Sequence, residues 1–78
     1  MDWRKHVSVD PQVMHGVACV AGTRIPVQYV LELVREGVSF ADIIDDYYPD
    51  LTTDDVRACL QYAIDIVTLE DAEVSTTE

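Results

Sequence analysis

The sequence predicts a mainly helical domain, three helices of helix-turn-helix type behind short N-terminal β-strands. Three observations predict it. Three successive stretches after residue 25 carry apolar residues at helical spacing. Gly37 and Pro49 divide those stretches with short turns. Before Gly22 the apolar runs are short and bracketed by turn residues, as strands are.

The elements follow in order. Val7-Ser8-Val9 ahead of Asp10-Pro11 reads as a strand closed by a turn. Val17-Ala18-Cys19-Val20, between Gly16 and Gly22, reads as a second. Two short strands are unstable alone, so they must lie on the helices or pair with another chain. Helix one starts near Pro26, which suits a first helical position. Its stripe is Val27, Val30, Leu31 and Val34, and Gly37 caps it in a left-handed conformation with Val38 folding back. Helix two starts at Ser39, with Asp42 in the capping-box position. Its stripe is Phe40, Ile43, Ile44 and Tyr47, and Pro49 stops it. Helix three starts at Thr52 with Asp55 as the reciprocal cap and runs to about Asp71. It has two apolar faces: Val56, Leu60, Ala63, Ile64 and Val67 form one. Cys59, Tyr62, Ile66 and Leu69 form another, about a third of a turn away. One face suffices for an intrachain core, so the second either contacts another chain or belongs to a wide stripe covered by the N-terminal strands. The expected organisation is a single domain over 1–71 with a frayed tail over 72–78.

A chain of 78 residues buries only about 60% of the surface its unfolded form exposes, so its core is marginal and a partner or a second copy is expected. The net charge of −10 is unevenly placed. Residues 1–41 carry four cations and four acids; residues 42–78 carry Arg57 against eleven acids. That field repels nucleic acid and attracts basic surfaces. No stretch reaches the roughly 18 apolar residues of a membrane span, and no basic start precedes an apolar run, so the chain is expected to be cytoplasmic. Cys19 and Cys59 read as buried free thiols, with a disulfide left open.

No enzyme is expected, and no catalytic residue, cofactor or metal site. His6 and His15 lack metal-ligand spacing, and Ser8, Ser39 and Ser75 lack a nucleophile signature. Asp42, Asp45 and Asp46 on helix two read as a solvated acidic face. Gly16 and Gly22 open no phosphate loop. A helix-turn-helix would present the start of helix three to DNA. Here that start is Thr52-Thr53-Asp54-Asp55, which repels phosphate. The candidate nucleic-acid contacts are Arg4, Lys5, Thr23, Arg24, Arg35 and Arg57; the candidate protein contacts are Cys59, Tyr62, Ile66, Leu69, Asp54 and Asp55. Arg24 sits on the bend Gly22-Thr23-Arg24-Ile25-Pro26, where it serves either as a structural ion-pair partner, plausibly for an acid on helix two, or as a recognition cation.

From Val17 to Ala63 the chain resembles the bacterial family known as domain of unknown function 433. The shared features are Gly22 to Val27 ("GTRIPV"), the helix-ending Gly37, Asp46-Tyr47-Tyr48-Pro49 against a family "DYP", and Leu51-Thr52 through Tyr62-Ala63. The resemblance covers roughly residues 7–67. It implies a homeodomain-like trihelical fold and a homodimer. It also implies an antitoxin-like role: neutralising a PIN-like ribonuclease toxin, with promoter autoregulation through the helix-turn-helix. The alternative is a DNA-binding regulator that works alone. The chain departs from the family at Ala21, where relatives often carry a basic residue, and at Tyr48, which is one residue extra.

Overall fold

The computed structural model describes residues 1–75, with side chains through Glu70. Strand β1 (Val7–Ser8) pairs antiparallel with β2 (Cys19–Val20), in the register Val7↔Val20 and Ser8↔Cys19. The three helices follow: α1 (Val27–Arg35), α2 (Phe40–Asp42, prolonged by a π-helical turn over Ile43–Tyr47) and α3 (Thr53–Ser75). The expected mainly α, trihelical domain with short N-terminal strands is what forms. Strand β1 rests against α3, so the ribbon is supported on one side by the helices.

Pro26 lies just outside α1, at its N-cap in extended geometry (φ −64°, ψ 137°), and bridges to Cys19. Helix α1 ends as expected. Gly37 has φ +84°, and Val38 N–H donates to Leu33 O at 3.1 Å, closing a Schellman motif. The Ser39 hydroxyl caps α2 by accepting from Asp42 N–H at 3.1 Å. The α3 capping box is reciprocal: Thr52 N–H donates to Asp55 at 2.9 Å and Asp55 N–H to Thr52 at 3.1 Å.

The second helix departs from the expected α stripe. Tyr48 N–H donates to Ile43 O at 2.8 Å, a five-residue closure. The wider turn points Tyr48, not Tyr47, toward the core. Tyr48 packs on the core while Tyr47 stands in water.

The core is Val7, Val20, Val27, Val30, Ile43, Leu51, Val56, Ala58 and Cys59. Each strand and helix contributes to it, so no pair of elements holds the fold alone. Helix α3 continues to Ser75, past the end expected near Asp71, through the good helix formers Ala72 and Glu73. Of the tail expected to fray, residues 76–78 lie outside the described residues.

Candidate interaction surface

The two faces of α3 behave differently from the sequence expectation. Val56 and Cys59, one from each face, are both wholly buried. Further along, both faces leave the body: Ile64 is 56% exposed, Ile66 37%, Val67 52% and Leu69 62%. The division between core and free surface therefore runs along the helix, not around it. The cause is length. With 23 residues α3 spans about 34 Å, whereas the nine-residue α1 that packs on it spans about 14 Å. Cys59 was expected at a protein interface; it lies instead in the core, with its thiol pushed up to about 11 by burial and by the Asp55 charge. Both cysteines are free and buried.

The apolar residues of this half form two lines on nearly opposite sides of the helix, each starting at a half-buried residue. Leu60, Ile64 and Val67 make the outer line; Tyr62, Ile66 and Leu69 make the inner one, about half a turn away. The inner line runs on from the body. Tyr62 borders a groove of about 590 Å³ where α1, α3 and the run into β2 meet. Val17, Ala18, Val27 and Leu31 line its apolar part; Gln28, Glu32 and Arg35 complete it. Leu69 borders a smaller hollow of about 290 Å³ with Arg4, Asp65 and Thr68.

A polar and aromatic clamp anchors α3 beside this line. Trp3 Nε1–H donates to Asp65 Oδ2 at 2.7 Å, and the Trp3 ring meets Tyr62 edge to face with centroids 4.8 Å apart. Gln61 Nε2–H donates to the other Asp65 oxygen at 2.9 Å, and these two hydrogen bonds hold the Asp65 carboxyl below its ordinary value. At the start of α3, His6 Nδ1 lies 2.9 Å from Asp55 Oδ1. Burial opposes the Asp55 charge, but the hydrogen bonds from Thr52 and His6 outweigh it and lower the pKa. Asp55, expected as a partner contact, is thus spent inside the fold, while Asp54 is exposed.

The candidate cations do not share one state. Arg4 pairs with Asp2 at 3.5 Å and lies over Trp3, 4.8 Å from the ring centroid. Arg35 pairs with Glu36 at 2.8 Å. Lys5, Arg24 and Arg57 are exposed and make no ion pair among the described residues, so Arg24 is not held by an acid on α2. Thr23 uses its hydroxyl within its own turn, donating to Val20 O at 2.7 Å and accepting from Ile25 N–H at 3.0 Å. No group of three or more metal-ligating side chains comes together among the described residues, and none of their helices is long and apolar enough to cross a membrane.

Sequence reasoning missed Ile64 and Val67 as free surface because it assigned them to the core face with Val56. The short α1 carried the missing signal. Trp3 was not singled out; its partner lies 62 residues away and nothing local marks the contact.

The comparisons agree with this architecture. The family model described as "Protein of unknown function (DUF433)" matches residues 7–63. The chain is also similar to the crystal structure of a DUF433 member protein from Anabaena variabilis. The identity is 26% and the TM-score 0.73, covering 92% of this chain and 70% of that one. No curated protein matches the chain.

Proposed function

Since the chain belongs to the DUF433 family, we propose that it is an antitoxin-like protein that binds and neutralises a PIN-like ribonuclease toxin as a homodimer. One observation carries the reading: the inner line of α3, Tyr62, Ile66 and Leu69, emerges from the core into open surface on the acidic half of the chain. An exposed apolar line in a small domain marks a docking site. A ribonuclease must present cations where it holds the RNA backbone, and the negative half of this chain complements such a face. Charge of opposite sign speeds the encounter and selects the partner, while the apolar line supplies the contact that desolvates. Blocking that face denies RNA its phosphate contacts.

Co-expression with the product of the neighbouring gene, followed by a pull-down at low salt, tests this. A complex that survives with the native chain and is lost with Ile66→Asp and Leu69→Asp supports it. No complex with the native chain sinks it.

A second reading has its own observation: Arg24 is exposed on its bend and unpaired among the described residues. In that reading the chain is a DNA-binding regulator, alone or as the toxin complex on its own promoter. Duplex binding would fall steeply with salt and weaken with Arg24→Ala in a gel shift.

A further inference from the structure

We infer that the groove beside Tyr62 and the inner line of α3 form one docking strip for a basic amphipathic helix of a partner protein, with Glu32 and Glu70 receiving its cations. This goes beyond the reading above, which used the inner line alone, and it does not need the partner to be a ribonuclease. The strip starts between α1 and α3, where Val17, Ala18 and Leu31 wall the groove of about 590 Å³. Val17 is 44% exposed, so this wall is open. Tyr62 joins the groove to the inner line, which continues over the exposed Ile66 and Leu69. These three stand four and three residues apart and so share one side of α3. An apolar path that begins in a cleft and runs on over an open helix is too long and shallow for a small molecule. It suits a helix laid along a groove. An added strand would find too little to pair with, since β1 and β2 are two residues each.

Charge selects the occupant. The cations beside the strip are already engaged. Arg35 lines the groove, but two of its nitrogens donate to Glu36 Oε1, at 3.0 and 2.8 Å. Arg4 borders Leu69, but it pairs with Asp2 and lies over Trp3. Asp65 is likewise occupied by Trp3 and Gln61. Glu32 differs: it is half-buried in the groove wall and makes no ion pair among the described residues. Glu70 stands four residues after Ile66, on the same side of α3, and is also unpaired among the described residues. No lysine or arginine follows Arg57 in the sequence to neutralise it. An apolar strip with a free carboxylate toward each end takes a ligand that is apolar along its middle and cationic at its ends. Phosphate would be repelled there. A second copy of this chain does not fit, because none of its helices joins an apolar face to free cations. Helix α1 has only the engaged Arg35, α2 has none, and α3 has Arg57 alone.

The test uses the full-length chain and a synthetic probe, an amphipathic peptide of leucine and lysine about 14 residues long. A leucine–glutamate peptide of the same pattern is its control. Trp3 is the only tryptophan of the chain and its ring lies against Tyr62, so its fluorescence reads the strip directly. At about 0.15 M salt the lysine peptide should bind and the glutamate peptide should not. Val17→Asp and Ile66→Asp should each weaken binding about tenfold or more. Ile64→Asp, on the other side of α3, should leave it unchanged. Glu32→Gln removes no packing and should weaken binding about threefold. Asp45→Asn, on the π-helical turn, makes the same change in net charge and should have no effect. Circular dichroism verifies that each variant folds. No binding of the lysine peptide, equal binding of the glutamate peptide, or Glu32→Gln indistinguishable from Asp45→Asn would each overturn the proposal. The toxin pull-down is a separate readout. If it fails while the peptide results hold, the ribonuclease reading falls and the strip stands; if it succeeds while the peptide results fail, the reverse is true.

Discussion

Trp3 and Asp65, 62 residues apart in sequence, are joined by a 2.7 Å hydrogen bond from the indole N–H to the carboxylate. Among the described residues it is the hydrogen bond from the N-terminal segment that lies farthest along α3. Beyond it the helix has exposed apolar residues on both sides.

Replacing Trp3 with Ala removes both the ring against Tyr62 and the donor to Asp65. We expect a loss of about 3 kcal/mol in urea unfolding. Trp3→Phe keeps a ring and loses only the N–H, so its loss should be smaller. Equal losses for the two variants would mean that the hydrogen bond, not the packing, holds the segment.

Acid should weaken the domain through Asp55 and Asp65. Both carboxyls are held below the ordinary aspartate value of 3.8 in the folded chain. A depressed folded pKa contributes stability that is present above the unfolded value and is lost as pH falls through the folded one. Melting followed by circular dichroism should therefore be flat in these groups above pH ~5 and fall steadily below pH ~4. Asp55→Asn should flatten that fall while lowering the plateau, because its Thr52 and His6 partners lose a charged acceptor. An unchanged acid slope in the variant would show that Asp55 is not the linked group.

Deleting Tyr47 tests the π-helical turn. The five-residue closure from Ile43 to Tyr48 seats Tyr48 on the core and leaves Tyr47 in water. With one tyrosine gone, an ordinary α turn brings the remaining one to the same place. The deletion should unfold cooperatively with a midpoint close to the native one, whereas Tyr48→Ala should cost roughly 2–4 kcal/mol. Loss of cooperative unfolding in the deletion would rule the account out.

Gly37→Ala should destabilise by about 1 kcal/mol, because φ +84° at the end of α1 strains any residue with a Cβ. The position has open space around it, so the cost is conformational and not a clash. A neutral result in thermal unfolding would mean the helix end can re-form without the left-handed residue.

The sequence by itself determined the local events. The two strands, the Gly37 cap, the Thr52–Asp55 box and the apolar stripe of α1 were all readable, because each depends on residues within a turn of one another. The uneven charge was equally plain. Only the tertiary structure decided which apolar residues stay covered. Periodicity reports direction around a helix, but burial depends on whether a neighbour reaches that far along it, and α1 does not. So Cys59 went to the core and Ile64 to the surface, against the expected division. The remaining decisions were long-range or cumulative. His6 meets Asp55 and Trp3 meets Asp65 across most of the chain, and the π-helical turn ends with Tyr48 on the core and Tyr47 in water, which the local stripe does not report.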